Sequence, residues 1–342
     1  MTSTARTVRT DAIRDAAAHI YDLVVRTPLL RLQVPNEWRR RWPRAPDELY
    51  LKLETFQPIG SFKIRGAHNA VRLLPPDARA HGVWTISAGN AAQGVALAAR
   101  AAGIPCAILL SDKAPIVKRE AIARLGATIV PAPFERCWEA IETHEDPAMR
   151  GRLVHPFDDD DFVAGNATLG LEVLEQLPGV RAIVASMGGG GLLGGIAAAV
   201  RDRADAIAVH GAEPETASPL AASFAQGGPV RFDNWRASFV DGAGGRSVLA
   251  TMWPLLCGGP GTRGVRDAIV VTLDDIRAAM RVVAEQAHII CEGAGAMAVA
   301  AALTGQAGPG PVVAVVSGGN IDLSRFAALV DGVTPDLTPA LD

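Results

Sequence analysis

A lysine with apolar neighbours is the residue in this chain best suited to covalent chemistry. Lys63 stands between Phe62 and Ile64, just after the pair Gly60-Ser61. Most lysines are surface charges, but burial among apolar groups penalises the ammonium form and favours the neutral amine. A neutral lysine amine can form an imine with an aldehyde. Because Gly60 allows close backbone approach and Phe62 offers a ring face, Lys63 is a candidate for such an imine, with a surface charge as the alternative.

A run of four glycines followed by a leucine is the second candidate. Its members are Gly188, Gly189, Gly190, Gly191 and Leu192. The run follows a strand-like apolar segment and precedes an alanine-rich segment typical of a helix. Consecutive glycines allow a tight turn whose N–H groups converge, and a helix N-terminus adds partial positive charge. We predict a phosphate-binding loop, although it lacks the ending of a Walker A motif. Close strand–helix packing is the alternative.

Two further turns contain asparagine and follow predicted strands. Ser87-Ala88-Gly89-Asn90 precedes a predicted helix, and Ser317-Gly318-Gly319-Asn320 follows a buried strand. Asn90 can donate and accept hydrogen bonds, which suits a phenolic oxygen or a carboxylate, while the Ser317 hydroxyl could face a ring nitrogen. The alternatives are helix capping by Asn90 and an ordinary tight turn at Ser317.

The segments around these turns alternate between strand-like and helix-like patterns. Strands are predicted at Val83–Ser87, Ala182–Ser186 and Val312–Val316, and helices at Ala91–Ala102 and Leu192–Arg203. This alternation predicts an α/β fold with mainly parallel sheets and crossover helices. Ligands collect at the carboxyl ends of such strands, where the turns lie. The irregular stretch Gly227–Pro260 is either a loop over the site or a surface excursion.

Composition indicates a globular protein without a polyanionic partner. The 342 residues are 49% hydrophobic and 20% charged, with a formal net charge of −3. The local basic cluster of Arg39, Arg40, Arg41 and Arg44 contains tryptophan and proline, which favours a solvated loop over a nucleic-acid site. The apolar run 182–200 contains six glycines, so we expect a strand, a turn and a helix there and no membrane span.

The cysteines favour a reducing compartment. Cys106, Cys137, Cys257 and Cys291 are scattered and form no CxxC pair. A chain of this length can build its core without disulfides, so free thiols in the cytoplasm are expected. The N-terminal segment has no apolar stretch of the kind that a secretion signal needs.

Together, Lys63 and these turns resemble the fold-type II pyridoxal-phosphate enzymes, in particular the threonine dehydratase and serine racemase group. The matching segments, in the family's order, are GSFKIRGA (60–67), SAGNAAQGVA (87–96), GGGGLLGG (188–195), Asp241-Gly242, EGAGA (292–296) and SGGN (317–320). The resemblance covers nearly the whole chain. It implies a two-lobed fold like that of the tryptophan synthase β subunit, with an open, mainly parallel sheet flanked by helices in each lobe. The larger lobe would comprise residues 1–76 plus 152–342, with residues 77–151 inserted as the smaller lobe.

The resemblance also implies roles for individual residues. Lys63 would carry pyridoxal 5'-phosphate as a Schiff base and act as the base at the substrate α-carbon. The cofactor would be bound by Phe62, Lys63, Asn90, Gly188, Gly189, Gly190, Gly191, Leu192, Gly242 and Ser317. The substrate would be bound by Ser87, Ala88, Gly89, Asn90 and Ala91. Phe62 would flank the pyridine ring, Asn90 would bond the O3′ atom, and Ser317 would meet the ring nitrogen.

Departures from the family pattern bear on the substrate. Ala91 stands where the family commonly has a histidine. Ala88 stands where serine racemases carry a proton-shuttling serine, so elimination is favoured over racemisation. The stretch after Gly242 also departs from the family, and Arg246 within it could bind a substrate carboxylate or be a solvated loop residue.

A further departure concerns divalent cations. The family's cation site would use the Glu213 carboxylate and the Ala217 carbonyl, but Pro219 stands where a third, acidic ligand is usual. Hard cations require several oxygen ligands, and one carboxylate with carbonyls is a weak set. We therefore expect no metal at this site.

The expected activity is the elimination of water from a β-hydroxy-α-amino acid, such as threonine or serine, to a 2-oxo acid and ammonia. Three alternatives remain open. They are dehydration of an unusual hydroxy amino acid such as 3-hydroxyaspartate or an ectoine-derived one, another pyridoxal-phosphate reaction such as racemisation or β-replacement, and ligand binding without catalysis. A cytoplasmic homodimer is expected.

Overall fold

The computed structural model describes residues 6–114, 116–203, 207–259 and 263–333. Within these ranges, ten strands form two sheets. The strands are β1 (Leu29–Arg31), β2 (Leu49–Leu53), β3 (Val83–Ile86), β4 (Cys106–Ser111), β5 (Thr128–Ala132), β6 (Arg152–Leu153), β7 (Ala182–Ser186), β8 (Ala208–Pro214), β9 (Asp267–Val271) and β10 (Val312–Val316). The helices are α1 (Thr10–His19), α2 (Asn36–Arg39), α3 (Lys63–Arg72), α4 (Pro76–His81), α5 (Asn90–Ala102), α6 (Ile116–Arg124), α7 (Phe134–Thr143), α8 (Asp160–Gln176), α9 (Gly191–Val200), α10 (Pro219–Gln226), α11 (Trp253–Cys257), α12 (Leu273–Ala287), α13 (Gly293–Leu303) and α14 (Leu323–Val330).

Both sheets are mainly parallel, which confirms the predicted fold class. The larger sheet has the order β1-β2-β10-β7-β8-β9, and only its edge pair β1 and β2 is antiparallel. The smaller sheet has the order β5-β4-β3-β6 and is parallel throughout. The central strands β7 and β10 are buried along their whole length, as expected for strands covered by helices on both faces.

The elements next to the predicted turns lie close to their expected bounds. The strands at Ala182–Ser186 and Val312–Val316 have the predicted ends, and β3 stops one residue before Ser87. Helix α5 begins at Asn90, and its left-handed cap at Gly103 (φ 67°) ends it where expected. Helix α9 ends three residues before the predicted Arg203. The apolar run 182–200 is therefore a strand, a turn and a helix. No helix in the described ranges is long and apolar enough to cross a membrane.

Helices α3 and α8 pack with their backbones in close contact, which fixes the position of the first turn of α3. A Cβ atom added to Gly66 would lie 2.4 Å from the Phe162 ring, and one added to Gly165 would lie 2.3 Å from the Arg65 carbonyl oxygen. Contacts this short exclude any larger residue at either glycine without rearrangement. Because Lys63 is the first residue of α3, this packing also fixes the position of the lysine.

The irregular stretch predicted at Gly227–Pro260 is described up to residue 259. Apart from the short helix α11 and an isolated bridge between Arg231 and Ser247, this stretch has no regular secondary structure. Its central part is nevertheless packed, because Phe239, Val240 and Ala243 are buried in the core beneath the larger sheet.

Candidate active site

Lys63 is half-buried, and the described residues provide it with no charged partner. Its Nζ donates a hydrogen bond to the Pro156 carbonyl oxygen at 2.6 Å and lies 5.2 Å and 5.4 Å from the ring centroids of Phe62 and Phe162. No carboxylate contacts it in the part of the chain that the structure describes. Burial therefore lowers the pKa of Lys63 to about 8, and a substantial fraction of the amine is neutral near physiological pH.

The turn before Lys63 is joined to the turn after β10. The Phe62 N–H donates to the Ser317 carbonyl at 3.0 Å, and the Gly319 N–H donates to the Gly60 carbonyl at 2.9 Å. Gly60 has a left-handed backbone (φ 68°), and a Cβ there would lie 2.8 Å from the Asn320 side chain. Glycine is required at this position because both the conformation and the space exclude a side chain.

Asn90 connects three of the predicted segments. Its Oδ1 accepts a hydrogen bond from Asn320 Nδ2 at 2.7 Å, and its Nδ2 donates to Glu292 Oε1 at 2.8 Å. The side chain thus bonds groups on other segments rather than the N–H groups of its own helix, so capping is not its role. Because Asn320 fixes the amide orientation, the second N–H of Asn90 Nδ2 remains available to a ligand.

The turn from Ser87 to Ala91 presents open backbone donors. The Ser87 hydroxyl accepts a hydrogen bond from the Gly89 N–H at 3.0 Å, and a Cβ on Gly89 would meet no atom within 4 Å. No acceptor among the described residues bonds the N–H groups of Asn90, Ala91 or Ala92. Ala88 is half-buried and Ala91 is buried. A helix N-terminus with free donors beside open space can bind a carboxylate.

The glycine run makes both close packing contacts and an open cradle. A Cβ on Gly189 would lie 2.1 Å from the Phe157 ring, and Gly190 is left-handed (φ 92°). Within the described ranges, the N–H groups of residues 188–192 bond no protein acceptor. Leu192 is buried in the core below. The packing alternative therefore accounts for Gly189, while the free donors at the start of α9 suit a phosphate.

Gly242 brings the irregular stretch against this cradle. A Cβ on Gly188 would lie 3.6 Å from the Gly242 carbonyl oxygen, and a Cβ on Gly242 would lie 3.1 Å from Ala294 Cβ. Arg246, the candidate carboxylate ligand, is placed differently. Its guanidinium lies 4.1 Å from the Trp235 ring centroid and lines a cavity of about 390 Å³ against α7. No described contact joins Arg246 to the Ser87–Ala91 turn.

Ser317 is buried at the carboxyl end of β10. Its Oγ donates to the Ala294 carbonyl at 3.3 Å, and Ser186 Oγ donates to the same carbonyl at 2.5 Å. Because Ser186 already satisfies that carbonyl, the Ser317 hydroxyl can rotate toward another acceptor at little cost.

Glu292 contacts the candidate site through Asn90, although no role was predicted for it. The residue directly precedes α13 and is buried beside Asn90. Burial raises the pKa of Glu292 to about 7, Asp241 adds to this rise, and the Asn90 hydrogen bond and Lys118 oppose it. The sequence contains one feature that could have indicated Glu292. Its carboxylate stands between Cys291 and a helix start of glycine and alanine, and ionised groups are rare in such apolar surroundings.

Glu213, where the sequence predicts no metal, has backbone partners. Its carboxylate oxygens accept hydrogen bonds from the N–H groups of Leu220 and Ala221 at 2.8 Å each, and Pro219 is the first residue of that helix. Burial raises the pKa of Glu213 to about 7, although the two hydrogen bonds from the backbone lower it. Among the described residues, no group of three His, Cys, Asp or Glu side chains could hold a metal ion.

These groups fit pyridoxal phosphate. They comprise an amine that can be neutral near pH 8, a cradle of unsatisfied N–H groups, a free amide N–H on Asn90 and a buried hydroxyl on Ser317. The cofactor has one matching part for each of them, namely an aldehyde, a phosphate, a phenolic oxygen and a ring nitrogen. The α/β fold with this site defines the class of lysine-dependent pyridoxal-phosphate enzymes.

Comparison with known proteins gives the family. The chain belongs to the pyridoxal-phosphate dependent enzymes, whose family profile matches residues 20–318. An L-threonine ammonia-lyase from Thermotoga maritima is 34% identical over 322 residues, which covers 93% of this chain and 77% of that protein. A catabolic L-threonine dehydratase from Staphylococcus aureus is 33% identical over 334 residues, or 96% of this chain and 93% of that protein.

Solved structures show the same fold. The processed form of threonine deaminase isoform 2 from Solanum lycopersicum superposes with a TM-score of 0.79 at 27% identity and covers 96% of this chain and 95% of its own. Maize serine racemase superposes with a TM-score of 0.80 at 31% identity, with coverage of 96% and 98%. The recognised family and its cofactor are thereby confirmed.

Proposed function

We propose that this enzyme eliminates water from a threonine- or serine-like β-hydroxy-α-amino acid, which yields a 2-oxo acid and ammonia. The observation that carries the proposal is the Lys63 amine, for which the described residues provide no carboxylate partner, in a fold that also has free N–H donors at the starts of α5 and α9. The threonine ammonia-lyase and dehydratase names of relatives that span nearly the whole chain support the choice of reaction.

The cofactor, when bound, withdraws electrons from the substrate α-carbon. Lys63 removes the α-proton, for which its lowered pKa suits it, because a base is most effective when its pKa lies near the working pH. The free N–H groups at the start of α5 orient the substrate carboxylate. Orientation of this kind can lower a barrier by roughly 7–11 kcal/mol.

The remaining site residues are proposed to hold the cofactor. The N–H groups of Gly188, Gly189, Gly190, Gly191 and Leu192 would bind its phosphate, with Gly242 beside them. Phe62 would flank its ring, Asn90 would donate to its phenolic oxygen, and Ser317 would face its ring nitrogen. The contacts of Asn90 with Asn320 and Glu292 support a fixed donor direction at the phenolic oxygen.

Elimination is favoured over racemisation because of Ala88. Racemisation requires a second proton-carrying group on the face of the substrate opposite Lys63. The candidate position for that group, in the Ser87–Ala91 turn, carries a methyl group, which cannot transfer a proton. The chain is similar in fold to maize serine racemase, but Ala88 provides no second proton-carrying group.

The nature of the hydroxy amino acid is tested with a panel of substrates. Purified protein with pyridoxal phosphate is given threonine, serine, 3-hydroxyaspartate and D-serine, and the 2-oxo acid and ammonia are measured. We expect equal amounts of both products from at least one L-hydroxy amino acid. If every hydroxy amino acid is inert, the elimination assignment fails. Interconversion of L- and D-serine without ammonia would identify a racemase instead.

Three broader features also remain proposals. Residues 77–151 would form a smaller lobe inserted into a larger one, and the contribution of β3, β4 and β5 to a separate sheet supports this division. Strand β6 completes that sheet just past the proposed boundary.

We also propose a cytoplasmic homodimer, and the four free cysteines are consistent with a reducing compartment. Light scattering of the purified protein tests the dimer.

A further inference from the structure

Glu292 is a buried carboxyl group that the proposed reaction does not use. Its backbone N–H donates to the Gly318 carbonyl at 3.1 Å. A Cβ added to Gly318 would lie 2.4 Å from Glu292 Oε1, and one added to Gly242 would lie 3.7 Å from it. The carboxyl group therefore fills the space between these two turns and accepts its hydrogen bond from Asn90. The preceding Cys291 thiol stays protonated, because burial raises its pKa to about 12.

The charged groups that act on Glu292 are few. Within the described residues, no cationic side chain forms an ion pair with its carboxyl group. Asp241 approaches from the irregular stretch, and Lys118 from α6 bonds Asp241 at 3.0 Å. Arg325 from α14 lies 3.9 Å from the same Asp241 oxygen. A buried carboxylate without a cation is strongly disfavoured, so Glu292 can hold its proton near neutral pH.

Asn90 connects this proton to the cofactor. One hydrogen on Asn90 Nδ2 goes to Glu292, and the other is the donor assigned to the phenolic oxygen. That oxygen carries negative charge when it accepts such a bond. If Glu292 ionises, two anions share one amide group, and like charges at this distance disfavour each other. When Glu292 is protonated, the phenolic oxygen is the one anion that the Asn90 amide group stabilises.

We propose that Glu292 is a positioning residue that acts through Asn90, and that the proton on its carboxyl group strengthens the binding of the cofactor's phenolic oxygen. The inference rests on the proposed role of Asn90 in the cofactor site. Loss of the proton weakens cofactor binding and changes the electronic spectrum of the bound cofactor. The site thus contains two proton-exchanging groups, the Lys63 amine and the Glu292 carboxyl group, which acts through the Asn90 amide.

The test is a pH titration of the holoenzyme without substrate. The absorbance of bound pyridoxal phosphate is recorded between pH 5.5 and 9 for the unaltered protein, Glu292→Gln and Glu292→Asp. We expect a spectral step near pH 7 that Glu292→Gln lacks and Glu292→Asp retains at a shifted midpoint. Both proteins share the pH dependence of the Lys63 amine. The ratio of the cofactor's dissociation constant in the unaltered protein to that in Glu292→Gln should therefore rise by about tenfold across the step. The same step in Glu292→Gln, or none in the unaltered protein, overturns the proposal.

Two surface variants give a second test that does not depend on the folding of Glu292→Gln. Asp241→Asn removes a negative charge and should move the step to lower pH, while Lys118→Gln should move it to higher pH. Each shift should be about a few tenths of a pH unit, because these groups are partly exposed and screened. A step that neither variant moves contradicts the assignment to Glu292. Because no substrate is present, failure of the elimination assay leaves this result intact.

Discussion

Two inward-facing lysines differ in what surrounds their amines. The chain has four lysines, of which Lys52 is fully buried and Lys63 half-buried. Lys52 Nζ donates to the Thr27 carbonyl at 2.7 Å, to Glu172 at 2.5 Å and to Gln176 at 2.9 Å, so all three of its hydrogens are used. Among the described residues, Lys63 Nζ has one hydrogen-bond acceptor, the Pro156 carbonyl. Burial lowers the pKa of both, but only at Lys52 do carboxylates oppose it.

The cluster around Lys52 is a closed set of charges. Arg65 bonds Glu54 at 2.7 Å and Glu172 at 2.6 Å, and these two cations and two anions are almost completely buried. Burial raises the pKa of Glu172, but Arg65 and Lys52 outweigh it and lower the net value. Lys63 lies two residues before Arg65 on the same helix. The first turn of α3 therefore carries two kinds of cation. Arg65 is paired with buried carboxylates, whereas Lys63 is not, among the described residues.

Replacing Lys63 should have the largest effect on activity and little on the stability of the apoprotein. In Lys63→Met, formation of 2-oxo acid should fall by at least about 10³-fold, because both the covalent anchor and the base are lost. The thermal unfolding midpoint of the two apoproteins at pH 7 should agree within about 3 °C, since the described residues give the amine no ionic partner to leave uncompensated. Full activity in this variant would disprove the assignment of Lys63.

The same change at Lys52 should act on stability instead. Lys52→Met leaves Glu172 with one of its two cations and should lower the free energy of unfolding by about 3 kcal/mol. Urea unfolding measures the loss, and Lys113→Met, an exposed lysine, is the matched control. The turnover number of the folded fraction should change by less than about threefold. Unchanged stability would show that Arg65 alone satisfies Glu172.

The pH dependence of cofactor binding tests whether the pKa of the Lys63 amine is lowered. The rate at which apoprotein captures pyridoxal phosphate should rise with pH and level off above a midpoint near 8, because only the neutral Lys63 amine attacks the aldehyde. An ordinary lysine would give a rate that still rises near pH 10. Stopped-flow absorbance measures the rate, and Lys63→Met should show no such phase. A continued rise past pH 10 would mean that burial does not lower this pKa.

Local patterns were sufficient for one part of the molecule and insufficient for the other. The apolar runs of β7 and β10, the glycine run and the lysine between apolar residues are each contained in a few consecutive positions. The residues that pair in the buried polar contacts are far apart in the sequence. Lys52 and Glu172 are separated by 120 positions, and Asn90 and Glu292 by 202. The sequence therefore indicated the cofactor and the candidate lysine, but not the contact between Asn90 and Glu292 or the ionic support of α3.

The smallest expected effect lies at the edge of the charge cluster. Tyr21 donates its hydroxyl hydrogen to Glu172 Oε1 at 2.8 Å, and burial with the nearby Glu172 raises the pKa of Tyr21 well above its usual value. Tyr21→Phe removes one hydrogen bond to a charged group whose two cations remain, so the free energy of unfolding should fall by about 1–2 kcal/mol. Urea unfolding should show this loss with an unchanged slope, and cofactor absorbance should be the same as in the unaltered protein. A spectral change in Tyr21→Phe would mean that the support of α3 is not separable from the site, because Glu172 bonds Arg65, which lies two residues after Lys63 on the same helix.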